Sequence, residues 1–284
     1  MKQTLERYRS MKTNYITQGW GENLACAKVY DNGQPVLINN KYTIKGIISG
    51  GTCPVGYKLF YPLIGMGGHN GQDFLLWRGE PIYFPVRAKN KNGEWVKWYA
   101  KSEVDFGGGI GVDVWSAERI YFPECPKELG GLKMIEREWT ENEGWLYVKF
   151  RFWHLQETWI KNTFKPSGDY QWITTGQLLG LGDSTGASSG DHSHEDMKIT
   201  NDQSWTIDND NGYYGSIQIP EGVFKNEFIL DVLKKEIEEQ KKQIEAQIIE
   251  KQLTLIDLLK QLISELKINV SKLSTKVGAI INNK

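Results

Sequence analysis

From Phe224 to the end of the chain there is no proline, and no glycine until Gly278, whereas all 9 Pro and the remaining glycines of the 30 lie before that point. Glycine and proline are the residues a helix interior tolerates least, so the sequence divides into a turn-rich body and one long helix. From Leu230 to Ile280 the apolar residues of the helix mostly recur three or four apart, the spacing of a coiled-coil seam. Around Lys251 the seam has a polar gap and a shift of frame, which changes supercoiling locally without ending a helix. A stripe of this kind left in water predicts self-association or docking onto a partner. An amphipathic membrane-surface helix is the weaker reading, because the polar face mixes Glu and Lys.

The first 222 residues read as short strands separated by turns. Asn-Gly pairs sit in KVYDNGQPVLI and RAKNKNGEWVKWYAK, and WLYVKFRFWHLQ alternates along one long strand. On that strand Leu146, Val148, Phe150, Phe152 and His154 are expected on one face, since successive side chains point to opposite sides. The expected fold class is therefore mainly β, an antiparallel domain over 1–222 with its core at about 15–200, followed by a helical, coiled-coil segment over 223–284. The 11 Trp suit such a body, chiefly as core.

Charge and hydropathy exclude several classes of function. Lys+Arg at 34 against Asp+Glu at 35 gives no positive field for a polyphosphate backbone, so no nucleic-acid partner is expected. The first 20 residues lack the apolar run of a secretory signal peptide, and no transmembrane segment is expected. Cys26, Cys53 and Cys125 are odd in number and widely spaced, which predicts buried free thiols rather than a disulfide framework.

The chain has four histidines, and all fall in pointed contexts. His69 and Asp73 are four residues apart with Asn70-Gly71 permitting a tight bend between them, so both can reach one small ion. His192 and His194 stand at i and i+2, which on a strand puts both rings on one face. One ring can then bind a metal while the other handles a proton beside it. Either motif alone is weak. Together they offer the nitrogen and oxygen donors that a catalytic zinc site draws from three protein ligands. Spacing alone does not say which member of the H-x-H pair would be the ligand. The run Gly107-Gly108-Gly109 reads as a β-turn, having no helix start or Lys-Ser/Thr after it to make a phosphate cradle.

The order of these motifs resembles the lysostaphin-type zinc endopeptidases that cut peptidoglycan cross-links: H-x-x-x-D in GHNGQDF, a strand-end WHL, then H-x-H approached by TTGQLLGLGDSTGASSGDHSH. ITQGWGEN resembles a segment often found at the start of such domains. The similarity spans roughly residues 15 to 200 and leaves out the helix. It implies that His69, Asp73 and His194 hold one Zn2+ and that His154 and His192 are the unbound catalytic pair, moving protons near neutral pH. Two departures stand out. Glu195 follows His194 where the family commonly has an aromatic residue before the acid, and the 123–144 stretch is longer than a hairpin link, a candidate surface for substrate or partner. The resemblance thus implies an endopeptidase of bacterial peptidoglycan; the lack of an export signal and the attached self-associating helix make a phage tail lysin or endolysin the expected setting. The competing expectation is an inactive structural or wall-binding tail subunit that keeps the fold.

Overall fold

In a computed structural model the described residues are 6–11, 15–29, 36–38, 43–105, 107–122, 144–162, 171–200, 212–219 and 224–282. The chain separates into two compact units, Met1–Leu230 and Asp231–Lys284. The first is almost wholly β; the second belongs to a single helix, Ile229–Asn282. Among the described residues no helix is long and apolar enough to cross a membrane. Residues 123–143, with Cys125, lie outside the described residues, so the long connection singled out above has no structural account here.

The body is built on an 11-stranded antiparallel sheet. Its strands are β1 (Ile16–Gln18), β2 (Gln72–Leu75), β3 (Pro81–Tyr83), β4 (Trp98–Asp105), β5 (Gly109–Ser116), β6 (Ile120–Tyr121), β7 (Trp145–Thr158), β8 (Gln171–Ile173), β9 (Leu178–Gly182), β10 (His192–Thr200) and β11 (Ser216–Ile217). The main path across the sheet is β8-β4-β5-β7-β10-β2-β1, with β6 and β9 on β7, β3 on β9, and β11 on β10. The aromatic and β-branched alternation of WLYVKFRFWHLQET makes β7 the longest strand and the one that joins the two halves.

Register then sorts the side chains into two faces. Phe150 of β7 lies opposite Val114 of β5 and Met197 of β10, and Phe152 lies opposite Val112. These residues belong to one core cluster with Phe84 and Trp98, all at most 2% exposed. Each such side chain withdrawn from water contributes about 1.5–3 kcal/mol, which is what fixes the register. The other face of the same strands carries charge. Lys149 Nζ is 2.6 Å from Asp113, and Arg151 Nε donates to both oxygens of Asp196 at 2.8 Å. That polar face is where the histidines gather.

One expectation about β7 is corrected. Val112 pairs with Phe152 but Ile110 pairs with Leu155, so two residues of β7, Trp153 and His154, oppose the single Gly111. This β-bulge breaks the alternation, and His154 takes φ 66°. His154 therefore leaves the apolar row of Phe150 and Phe152, and its ring centroid lies 4.5 Å from that of His192.

The cysteine expectation is corrected as well, because Cys26 and Cys53 form a disulfide with Cα atoms 5.5 Å apart. The strand Ala25–Lys28 pairs with Ile47–Ser49, and the chain beyond turns back so that Gly50 and Gly51 both donate to the carbonyl of Leu24. Sheet pairing thus brings together two thiols that are 27 residues apart, a proximity that no short cysteine spacing encodes.

Candidate active site

His69 sits in the loop before β2, and its backbone is fixed on both sides: its N–H donates to Glu22 O and its carbonyl accepts from Gly21 N–H. Asp73 follows on β2 and lies directly opposite His194 of β10. The close approach of the loop depends on Gly71, where a Cβ would fall 2.8 Å from the His194 ring and 2.5 Å from the Glu195 carbonyl oxygen. The small residue of H-N-G-Q-D is required by contact with the opposing strand.

The three donor atoms converge. His69 Nε2 and His194 Nδ1 are 2.8 Å apart, His69 Nε2 and Asp73 Oδ1 are 3.0 Å apart, and His194 Nδ1 and Asp73 Oδ1 are 3.1 Å apart. All three residues are buried. The outer ring nitrogens are already committed: His69 Nδ1 lies 3.1 Å from Gly19 O, and His194 Nε2 lies 3.3 Å from Asp196 Oδ2. Neutral rings that give their protons to those acceptors turn two lone pairs toward each other and toward a carboxylate oxygen, an arrangement that repels itself unless a cation lies among the three. Tetrahedral zinc with bonds of ~2.0–2.1 Å separates its ligand atoms by about 3.3 Å, a few tenths more than these distances. The donor set thus fits a divalent cation of borderline softness.

The remaining rings flank this cluster. His154 Nδ1 lies 2.6 Å from Thr185 O and His192 Nδ1 lies 2.8 Å from Gly190 O, so both rings have an acceptor for one proton and turn Nε2 inward. His192 Nε2 is 3.5 Å from Asp73 Oδ1. The four histidines therefore share one design, with one nitrogen anchored outside the centre and the other left for chemistry.

A proton competes with a metal ion for the inner nitrogen of His194. Burial opposes charge on His194, but the hydrogen bonds and charges of Asp196 and Asp73 outweigh it and raise its pKa to about 9. Burial also opposes charge on Asp73, yet the His69 and His192 charges and the hydrogen bonds from His194 and His69 hold it well below the usual carboxylate range. His154 goes the other way. Burial, then the neighbouring His192 and His194 charges, push it well below an ordinary imidazole, so it is a neutral base at pH 7.

Two residues matter here that the motifs did not single out. Asp196 stands two positions after His194 and so shares its face, a signal that alternation on β10 does carry. Arg151, which clamps Asp196, comes from β7 by cross-strand register, and nothing local in the sequence marks it. Glu195 points the other way: its register partner is the core residue Phe152, and Ser10 Oγ donates to its carboxylate. The departure after His194 thus falls on the core side of the sheet and leaves the metal-facing side intact.

The centre lies in a groove. A cavity of about 310 Å3 on one side is walled by Leu24, Ala25, Ile47 and Ser49, and one of about 430 Å3 on the other by Ile64, Met66, Trp153 and Tyr214. His69, His154 and His194 line both.

No protein-family model and no curated protein sequence matches the chain. Among solved structures it resembles the catalytic domain of the antimicrobial peptidase lysostaphin from Staphylococcus simulans at 22% identity, covering 47% of this chain and 68% of that one, with a TM-score of 0.26. A zinc-containing peptidase from Vibrio cholerae is similar at 16% identity over 70% of this chain and 37% of that one, TM-score 0.34. The catalytic domain of the prophage-encoded protein EnpA from Enterococcus faecalis is similar at 16% identity over 53% and 74%, TM-score 0.28. These are partial likenesses at low identity, and what the five side chains can do is set by their own arrangement.

Proposed function

We propose that the chain is a zinc-dependent endopeptidase that hydrolyses peptide bonds in the stems or cross-bridges of bacterial peptidoglycan. The observation that carries this reading is the triangle of His69 Nε2, Asp73 Oδ1 and His194 Nδ1, with separations of 2.8–3.1 Å and two further imidazoles beside it. These three residues would hold the ion. When bound, zinc supplies Lewis-acid chemistry, polarising a scissile carbonyl and making a bound water acidic near neutral pH.

The flanking residues supply the proton handling. His154, kept neutral by burial and anchored through Nδ1, is suited to accept a proton at Nε2 from an attacking water. His192 is anchored in the same way, with its ring centroid 4.5 Å from that of His154, and can donate to a developing oxyanion or leaving amine. A groove open on both sides of the centre admits a chain in its middle, as an endopeptidase requires. Peptidoglycan as the substrate rests on the resemblance of the motifs in the sequence. The inert-subunit reading gains nothing from Glu195, which faces the core.

We further propose a phage-borne setting, as a tail-associated or released lysin. The disulfide Cys26–Cys53 supports work outside a reducing cytosol, and the joined helix suits mounting on a larger assembly. The test is digestion of purified sacculi with zinc-loaded and chelator-treated protein, followed by mass spectrometry of released peptides and metal analysis. Zinc-dependent release of stem or bridge peptides is expected. Zinc bound at one per chain with no peptide released would sink the enzyme reading, and absence of the protein from both virions and phage lysates would sink the phage setting.

A further inference from the structure

The long helix carries a repeat that a coiled-coil heptad does not describe. Leu233, Ile244, Leu255, Leu266 and Val277 follow one another at intervals of 11 residues, and so do Ile237, Ile248, Leu259 and Val270. A third row at the same interval reads Gln240, Lys251, Leu262 and Leu273. What looks like a frame shift at Lys251 in a seven-residue scheme is a regular step in an 11-residue one. Three turns of 3.67 residues bring each row back to the same side, so the stripe runs straight or with slight right-handed supercoil instead of winding left-handed.

We infer that this stripe is covered by a second copy of the same chain, parallel and in register. Three observations carry this. First, described by itself, the helix leaves the apolar residues of its rows from Ile237 to Val277 48–66% exposed. Ten such side chains, each covering about 60–120 Å2 when buried, offer on the order of 1,000 Å2 per helix, the scale of a stable interface. Second, a straight stripe stays in contact over its full length only with a partner of the same period, and an identical helix has that period by construction.

Third, the positions that flank the seam match in kind when one copy lies parallel to another. In a parallel pair each left-flank residue meets the right-flank residue five positions later in the partner, as g and e positions do in a heptad. The successive pairs are Glu236 with Lys241, Gln247 with Gln252, Leu258 with Ile263, and Asn269 with Ser274. Charge meets opposite charge, amide meets amide, apolar meets apolar and polar meets polar. The helix as a whole has 10 Lys against 8 Asp and Glu over 231–284, too balanced a charge for an anionic lipid surface to be the cover. The assembly joins as many β bodies as it has helices and so raises their effective concentration on a polymeric substrate.

The inference stands whether or not the β body is a peptidase, and its test does not use activity. Sedimentation of the full chain at micromolar concentration should give two or more times 32.5 kDa, in whole multiples. Leu255→Asp with Leu266→Asp should reduce this to one chain with the near-ultraviolet spectrum of the Trp-rich body retained, while Leu253→Asp, on the far side of the helix, should leave it unchanged. Glu236→Lys should weaken the assembly at least several-fold, and adding Lys241→Glu should restore it. Ile237→Cys should form an inter-chain disulfide on oxidation that the wild type does not. A single-chain mass, an assembly that survives the double seam variant, absence of the Ile237→Cys cross-link, or a monomer that binds anionic vesicles instead would each overturn it.

Discussion

The carboxylate of Asp196 stands 3.3 Å from the outer nitrogen of His194 while Arg151 Nε grips both of its oxygens at 2.8 Å. Asp196 is fully buried, and the Arg151 charge with the hydrogen bond from His194 holds its pKa far down against the cost of burial. It therefore fixes the tautomer of His194 and makes its inner nitrogen more basic. Replacing Asp196 with Ala should weaken zinc binding by about 10–100-fold, measured by competition with a chromogenic chelator. The same change takes both hydrogen-bond acceptors from an Arg151 side chain that is only 14% exposed and should cost about 3–5 kcal/mol in metal-free melts. Lost stability with unchanged zinc affinity would show that Asp196 supports the sheet alone.

His154 should behave differently from the metal-facing residues. His154→Ala is expected to lower turnover on sacculi by about 10²–10⁴-fold with zinc content retained, whereas His69→Ala should lose the metal. Its depressed pKa also sets a pH signature. Because the folded ring stays neutral below pH 6.5, the acid limb of kcat/KM should lie below that of an ordinary imidazole. Below pH 6.5 the unfolded chain binds the proton and the native one does not, so this residue's contribution to stability is lost as pH falls. A limb at pH 6.5 or above in wild type, unmoved in His192→Ala, would argue against His154 as the base.

The same residue marks the limit of what the sequence reveals. The pairing of His69 with Asp73, the i and i+2 placement of His192 and His194, and the proline-free helix are local patterns, and local patterns survive folding. Strict alternation places His154 on the apolar face, and a single unpaired residue opposite Gly111 reverses that. Whether a strand bulges depends on its neighbour, which a single strand's sequence does not carry. Arg151 is hidden for the same reason, being placed by cross-strand register, and the Cys26–Cys53 pair because sheet pairing and the turn after Ile47–Ser49 bring its sulfurs together.

The glycines opposite the bulge have a steric role that can be tested directly. A Cβ at Gly111 would sit 2.1 Å from Trp153 Cε3, and one at Gly108 would sit 2.3 Å from the same ring. Trp153 lies on them and walls the larger cavity beside the centre. Gly111→Ala should therefore push the indole outward, cost about 1–3 kcal/mol in thermal melts, and raise KM more than it lowers kcat. An unchanged melting temperature would mean that the ring has space to yield which these contacts do not allow.

Reduction of Cys26–Cys53 should act on the opposite wall of the groove. The disulfide closes a loop of 27 residues, whose release into the unfolded ensemble is worth about 3.5 kcal/mol in the chain-entropy account. Leu24, Ala25, Ile47, Ser49 and Gly50, which line the smaller cavity, belong to the segments that it ties together. None of the three metal-facing residues does. Cys26→Ser with Cys53→Ser, or treatment with a thiol reductant, should thus raise KM on sacculi and increase proteolytic nicking between residues 24 and 59, while zinc content and the near-ultraviolet spectrum of the main sheet persist. Loss of zinc on reduction would show instead that the small sheet holds the His69 loop in place, through the contacts of Gly21 and Glu22 with the His69 backbone.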